Sequence, residues 1–584
     1  MAAIEEALRS RRRTVLLAIV AGSVLVRIAY FVALSRGPCL SEHRWPQWDM
    51  EFFQRWAQAI ASGDWLTAQP LHPFHPWHED VAAAYLEGLP ADTPQESPAE
   101  VWNRWYGGTR FHQEPLYPYL MGITYFFLGA DPRWIFAWQM LAGIGSNVLV
   151  YLLARRCFGD VVGTLAGALA VLFAPALYYE LILLRTALTG FLSLAIALAV
   201  LRALEGDSPR RWLLTGILSG LGILLQSFLG LLPAGAAAFL ALERRRRRGL
   251  VLTCLGALAA GVALPLLPLL ARNLAVGAPP LGLTSVGAVT FVCSNAADID
   301  PGAGFVVSRY TARVMAASEG RLGRAVVDTL RTHPSAWSVL RLLARKLAAL
   351  THWYEIPNNT NFYFFRLHAG VLRLLPVTFT LVGPLGLLGL VVAVPEFRRC
   401  RVLYLLAAVC AAPMLAFYVL SRFRAPFALA LLPFAALAIV RTFGWLRTGR
   451  LAVGLASTAA ALCLAAWTSR PLPPGRPLIR TQDHSVTYEI YYERLADEAE
   501  ERGDACGVAD VLGEFLRLTP GTVTRLSPLD PPRTRSEALF AGWYGAIHRR
   551  RADALRRCGR TQEAAEEQGR ADVLDALYAA GAAP

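Results

Sequence analysis

The stretch Arg9-Ser10-Arg11-Arg12-Arg13-Thr14-Val15-Leu16-Leu17-Ala18-Ile19-Val20-Ala21-Gly22-Ser23-Val24-Leu25-Val26-Arg27-Ile28-Ala29-Tyr30-Phe31-Val32-Ala33-Leu34 decides the class of this protein. Arginines stand directly before an apolar run from Val15 to Leu34, long enough to cross a bilayer as a helix. A signal peptide is the competing reading. Its apolar region would be about 7–15 residues, followed by a small-residue cleavage site. Here the run is longer, Arg27 interrupts it, and no such site follows cleanly. It reads as a retained first span with its N-terminus inside.

The rest of the chain repeats the signal. Hydrophobic residues make up 55% of the 584 and charged residues only 17%, against about 25% charged in a soluble domain. That excludes a soluble enzyme and a disordered chain. Further spans are expected at about 134–153, 161–183, 187–204, 212–225, 228–242, 250–270, 374–394, 402–420, 426–440 and 451–467. The fold class is therefore an all-α polytopic membrane protein of about eleven spans. Alternation from an inside N-terminus puts Arg155–Arg156, Arg210–Arg211, Arg244–Arg248, Arg398–Arg401 and Arg441–Arg450 inside, and each is an arginine cluster. The positive-inside rule demands this. The net charge of +14 thus belongs to topology, and no nucleic-acid partner is implied. Pro115–Gly129 is apolar too, but a crossing there would invert every later cluster. It is expected to lie on the outer membrane surface.

Two long outer loops result, at about 37–133 and 271–373, the second with an amphipathic run at Ala336–Leu350. Residues 1–470 form the membrane domain. After Pro471-Leu472-Pro473-Pro474 the composition turns charge-rich, and residues 471–584 read as a small extracytoplasmic helical domain. Its helical patterns are Tyr488–Arg502, Cys506–Leu518, Ser536–Cys558 and Thr561–Ala580, loosely like tetratricopeptide pairs. Cys506 and Cys558 are the plausible disulfide pair in an oxidising compartment, with free thiols as the alternative.

The first outer loop opens with Trp48-Asp49-Met50-Glu51-Phe52-Phe53-Gln54-Arg55-Trp56-Ala57-Gln58-Ala59-Ile60-Ala61-Ser62-Gly63-Asp64-Trp65. Phe53, Trp56, Ala57 and Ile60 share a helical stripe. Asp49 reads as an N-cap or as a functional acid, and Gly63 as the helix stop. Phe111-His112-Gln113-Glu114-Pro115-Leu116-Tyr117-Pro118, Leu153-Ala154-Arg155-Arg156-Cys157-Phe158-Gly159 and Ser421-Arg422-Phe423-Arg424-Ala425-Pro426 follow in order. With these elements, residues 10–470 resemble the polyprenyl-phosphate-sugar-dependent glycosyltransferases of the GT-C superfamily, family 39. The protein O-mannosyltransferases and lipid A aminoarabinose transferases are nearest in pattern. The resemblance implies a GT-C helical bundle in the cytoplasmic (inner) membrane. It implies inverting transfer of a sugar from a polyprenyl phosphate, with Asp49 as general base toward the acceptor hydroxyl. The acceptor, protein, glycolipid or polysaccharide, stays open.

That family carries a second acid in the second outer loop. Here Arg185 stands near its expected place. Glu180 takes the role or pairs with Arg185, and Glu114 is the rival. Several members hold a divalent cation there, so a cation is possible; no metal ligand set is assigned. The leaving phosphate needs cations aimed at it. Arg272, Arg422 and Arg424 are the candidates, with snorkelling at span ends as the alternative. Glu355 and Asn358 are candidate sugar contacts. His72, His75 and His78 are three in number, enough for a zinc ion, but Pro70, Pro73 and Pro76 impose an extended path with no common face, so they read as loop residues. A transporter or flippase is the main alternative function. It would place ionisable residues within the spans, whereas here polar residues concentrate in the loops.

Overall fold

The computed structural model describes residues 2–44, 48–90, 96–206, 208–301, 306–471, 488–519, 521–532 and 535–581. Among them the regular structure is helical, and β pairing is confined to isolated bridges. The Pro-rich boundary at 472–474 lies outside the described residues. The chain divides into two compact units.

The first unit comprises Met1–Phe31, Pro46–Ile356 and Ala369–Arg470. Its helices begin with α1 (Ala2–Ser10), α2 (Arg12–Leu34), α3 (Asp49–Ala61), α4 (Pro76–Glu87), α5 (Pro98–Tyr106) and α6 (Leu116–Leu128). There follow α7 (Pro132–Phe158), α8 (Asp160–Val171), α9 (Ala174–Tyr178), α10 (Thr186–Leu204), α11 (Pro209–Leu225), α12 (Leu231–Glu243) and α13 (Arg248–Ala275). The second long loop holds α14 (Gly287–Asn295), α15 (Thr311–Ser318), α16 (Leu322–Leu330), α17 (Ala336–Leu350), α18 (Phe362–His368) and α19 (Gly370–Leu374). Of these, α18 belongs to the second unit. The bundle closes with α20 (Phe379–Val392), α21 (Phe397–Ala416), α22 (Ser421–Arg447) and α23 (Leu451–Thr468).

Among the described residues, seven helices are long and apolar enough to cross a membrane: Arg12–Leu34, Pro132–Phe158, Thr186–Leu204, Arg248–Ala275, Val394–Ala416, Ser421–Arg447 and Leu451–Thr468. The other expected spans fall on shorter helices, α8, α11, α12 and α20. The middle of α22 is buried from Arg424 to Ala438, while α2 and α23 expose Leu17, Leu25, Ile28, Leu451, Leu455 and Leu462. Apolar side chains turned outward along a whole span suit a lipid surface. At about 20 Å, α6 is shorter than the ~30 Å hydrocarbon layer; Gly122 on it faces Ile60 of α3.

Two expected boundaries are corrected. The span expected over 161–183 ends as a helix at Val171. Pro175 has no N–H, and its ring would meet the carbonyl four residues back, that of Val171. The chain leaves the helix, and the Ala174 N–H donates to the Val377 carbonyl at 3.0 Å. After the short α9, Tyr179–Leu181 form a single 3-10 turn, and the segment Tyr178–Leu184 is buried throughout. The span expected from Pro426 begins instead at Ser421, with Pro426 inside the helix; the N–H groups of Phe423 and Arg424 donate to the Leu420 carbonyl and close the first turn ahead of the proline. Arg422 and Arg424 therefore lie on the first turn of α22.

The two long loops share one core. Trp102, Trp105 and Tyr106 of α5 and Ala82 of α4 pack with Val289, Val292 and Cys293 of α14, Met315 of α15 and Ala325 of α16. Gly320 has φ +67°, and a Cβ there would overlap the Trp105 carbonyl. Lys346, the chain's single lysine, is buried on α17. Its Nζ donates to Asn295 Oδ1 at 2.6 Å and to the Leu415 carbonyl at 3.1 Å. Asn295 Nδ2 donates to the Ala416 carbonyl at 2.8 Å. These bonds satisfy carbonyls at the end of α21, seating the second loop on the bundle.

The second unit comprises Val32–Trp45, Pro357–His368 and Pro471–Pro584. Its C-terminal helices run Glu493–Glu501, Ala505–Leu516, Arg535–Arg557 and Thr561–Gly581, close to the four expected patterns. Cys506 and Cys558 form a disulfide with Cα atoms 5.2 Å apart. Tyr488, Phe515 and Trp543 pack ring against ring in the same unit.

Candidate active site

Asp49 is the first residue of α3, and Trp48 takes the N-cap position without capping the helix through its side chain. The expected capping role is therefore not the one observed. The α3 stripe Phe53, Trp56, Ala57 and Ile60 is buried. Phe53 meets Tyr117 edge-on at 5.1 Å, and Phe52 meets His112 at 5.2 Å. This packing holds the start of α3 beside the segment that leads into α6. Gln113 Nε2 donates to Asp49 Oδ1 at 3.1 Å. Arg422, reaching from the first turn of α22, forms an ion pair with Asp49 Oδ2. The two side chains remain partly open, 23% for Asp49 and 18% for Arg422.

Arg422 sits 4.8 Å over the Phe423 ring, and its Nε is buried with no hydrogen-bond partner. The neighbouring Ser421 hydroxyl meets the Tyr179 hydroxyl, and the Ser421 N–H donates to the Ile356 carbonyl at 2.9 Å. The start of α22 is thus fixed from both sides.

The other candidate cations are engaged by the protein. Arg424 is 2% exposed and pairs with Glu355 Oε2 at 2.8 Å. It also donates to the carbonyls of His352 and Tyr354 and lies 4.2 Å over the Phe379 ring. Burial pushes the Glu355 carboxyl upward against the pull of Arg424. Arg272 donates to the carbonyls of Leu66 at 2.8 Å and Thr109 at 2.6 Å, and to that of Thr67, and stacks 4.0 Å over Phe111. It staples the first loop. Asn358 belongs to the second unit.

The acids sort differently from the expectation. Glu180 does not pair with Arg185. It bonds Arg27 of α2 at 2.5 Å, with both side chains buried. Gly143 makes room, since a Cβ there would overlap this pair. The second oxygen, Oε2, has no partner and borders a small cavity lined by Ser146, Asn147 and Thr186. Arg185 pairs instead with Glu114, whose Oε1 accepts the Ser227 N–H at 3.0 Å. Burial would raise the Glu114 carboxyl, but Arg185 and the Ser227 N–H hold it below its ordinary value. Each candidate carboxylate of the site thus faces a guanidinium. Among the described residues no group of three or more His, Cys, Asp or Glu is placed for a metal ion. A guanidinium at each of these carboxylates opposes a divalent cation at the same oxygens.

His72 and His75 lie in the loop before α4, as expected, whereas His78 stands on α4 itself. His78 lies 3.7 Å from the Trp77 ring and 4.5 Å from Trp102, and its Nδ1 accepts the His75 N–H at 2.8 Å. Burial pushes His78 down to about 2 and His112 down to about 3. Both are neutral packing groups at pH 7. Two participants carry little signal in the sequence. Gln113 stands inside a motif that gives it no role. Arg27 reads there only as an interruption, although a charge inside a span implies a buried partner.

Residues 112–271 match the family of dolichyl-phosphate-mannose-protein mannosyltransferase. The matched segment takes in Gln113, Glu114, Glu180 and Arg185, and leaves Asp49 and Arg422 outside. The chain is similar to the Archaeoglobus fulgidus oligosaccharyltransferase in its apo form, at 15% identity and a TM-score of 0.41, over 87% of this chain and 60% of that one. It is similar at 15% identity and a TM-score of 0.40 to the archaeal oligosaccharyltransferase AglB from Archaeoglobus fulgidus, in complex with an inhibitory peptide and a dolichol-phosphate, over 87% and 60%. The chain therefore spans about 60% of the length of those proteins. No curated protein matches it.

Proposed function

We propose, from the match of residues 112–271 to the dolichyl-phosphate-mannose-protein mannosyltransferase family, that this protein is an integral-membrane glycosyltransferase. It moves a sugar from a polyprenyl phosphate to a hydroxyl of a protein, glycolipid or polysaccharide at the outer face of the cytoplasmic membrane. The observation that carries the reading is the partly open pair of Asp49 and Arg422 where α3, the Gln113 segment and α22 meet. It joins a base for the acceptor and a cation for the leaving phosphate.

Asp49 takes the acceptor proton as the oxygen attacks the anomeric carbon from the face opposite the phosphate. The C–O bond to phosphate breaks, its electron pair passes to the phosphate oxygen, and the anomeric configuration inverts. Arg422 meets the charge that develops there, where a fixed donor is worth most. A planar guanidinium suits this task because its fork matches phosphate oxygens. Glu114 and Glu180 serve as struts for the surrounding segments, and Arg424 with Glu355 fixes the first turn of α22.

The test is Asp49→Asn in purified, membrane-inserted protein. General-base catalysis contributes roughly 10²–10⁴-fold. Transfer is expected to fall by about that factor while donor binding persists. Equal rates in the variant and the parent would reject the reading.

A further inference from the structure

We propose that the Asp49–Arg422 ion pair is a resting lock that the donor phosphate opens. The phosphate draws Arg422 away, and the carboxylate so released becomes the base, kept in place by Gln113. This rests on the glycosyltransferase reading above and adds an order of events to it.

The argument begins at the carboxylate. Asp49 Oδ1 accepts from Gln113 and Oδ2 from Arg422. A base must present a lone pair to the acceptor hydroxyl, and a carboxylate bonded to a guanidinium is a weaker base than one that is not. The pair as it stands therefore keeps Asp49 a weaker base. The Gln113 and Arg422 donors are unequal toward a phosphate. Gln113 is neutral and gains little from a phosphate. Arg422 is cationic and holds Asp49 through one terminal nitrogen, while its Nε has no partner. A guanidinium held at one point can turn to offer two parallel N–H groups, and phosphate oxygens match that fork.

The helix start around Arg422 is anchored on both sides. Two residues along, Arg424 is anchored to Glu355 and to the carbonyls of His352 and Tyr354. Ser421 is tied to Tyr179 and Ile356. The backbone of α22 cannot follow the phosphate, so only the Arg422 side chain moves. The exchange grows more favourable along the reaction. A sugar phosphodiester carries one negative charge, and the phosphate left behind gains a second as the C–O bond breaks. Arg422 is thus held more strongly by phosphate in the transition state than in the bound donor. Without donor, Asp49 stays paired and neither an acceptor nor water is activated.

The test reads Asp49 directly. Full-length protein in lipid nanodiscs is labelled with a carbodiimide and glycinamide over a range of pH, and modification of the Asp49 peptide is followed by mass spectrometry. The probe is a polyprenyl phosphate without sugar, whose binding is measured separately by scintillation proximity. On saturation the labelling midpoint of Asp49 is expected to rise by at least about one pH unit. In Arg422→Gln the midpoint is expected to start high and not respond to the lipid. Gln113→Leu is expected to keep donor KM, lower kcat about tenfold, and move the acidic limb of the pH–rate profile upward, since a donor to the carboxylate is gone. A merely structural Gln113 would leave that limb in place. Lipid binding without a midpoint shift overturns the lock while leaving the glycosyltransferase reading intact. Failure of the lipid to bind overturns the donor reading and the lock together.

Discussion

Arg422 and Arg424 stand two residues apart and look alike in sequence, yet their surroundings separate them. Arg422 is partly open and holds one acid; Arg424 is buried among four groups. Arg422→Ala is expected to reduce transfer strongly with normal expression and melting temperature, and Arg422→Lys to restore only part of it, because a point charge lacks the fork. Arg424→Ala removes the ion-pair partner of the buried Glu355, and breaking a buried pair from one side costs about 3–5 kcal/mol. It is expected to lower the melting temperature and the folded yield. Adding Glu355→Gln should recover much of that loss. A stable Arg424→Ala protein with lost donor binding would return Arg424 to the phosphate. The histidines act at the same scale. His112 and His78 are held near 3 and 2 when folded, against about 6.5 unfolded. The unfolded chain therefore binds protons that the folded one refuses. Stability is full above about pH 6.5 and falls as pH drops toward the folded values, by about 1 kcal/mol per unit for each histidine. The melting temperature is expected to fall between pH 7 and 5, and His112→Gln to flatten that slope.

At the scale of elements, the first and second long loops form one body through the α4–α5 and α14–α16 core. Its tightest point is Gly320 against the Trp105 carbonyl at φ +67°. Gly320→Ala adds a strained backbone and a clash with a main-chain atom that cannot rotate away. A loss of at least about 2 kcal/mol is expected, seen as faster proteolysis of both loops. Gly323, three residues on in α16, has nothing within 4 Å of its would-be Cβ. Gly323→Ala is expected to be neutral or to stabilise by up to about 1 kcal/mol. Equal behaviour of the two variants would mean that the loops do not pack as described. Helix existence was legible here because apolar runs and the α3 stripe carry their period locally. The break at Val171 was not, although Pro175 was visible. Whether a proline kinks a span or ends it depends on a partner for the freed backbone, and here that partner is Val377, about two hundred residues away.

At the scale of the whole molecule, the arginine clusters predict an N-terminus inside and a C-terminal domain outside the cytoplasm. Reporter fusions at Arg246 and Pro584 are expected to report opposite compartments; the same compartment for both would reject the topology. The Cys506–Cys558 disulfide supplies an independent check, since such bonds persist in oxidising compartments. Alkylation of intact cells is expected to leave both thiols protected until reduction. Cys506→Ala is expected to cost the second unit about 2–4 kcal/mol.

Hydropathy and the arginine clusters are properties of local segments, so the membrane class, the helical runs and the order of the motifs are legible along the chain. So is Asp49 as a candidate, from its place just after the first span. The packing of the helices settled which charges meet. Asp49 reaches Arg422 across 373 positions and Arg27 reaches Glu180 across 153. It likewise assigned Arg185 to Glu114 and withdrew Arg272 and Arg424 into the protein. The reason is physical. A buried charge must find a partner, but any opposite charge of suitable reach satisfies that need. Which one is near depends on how the helices pack.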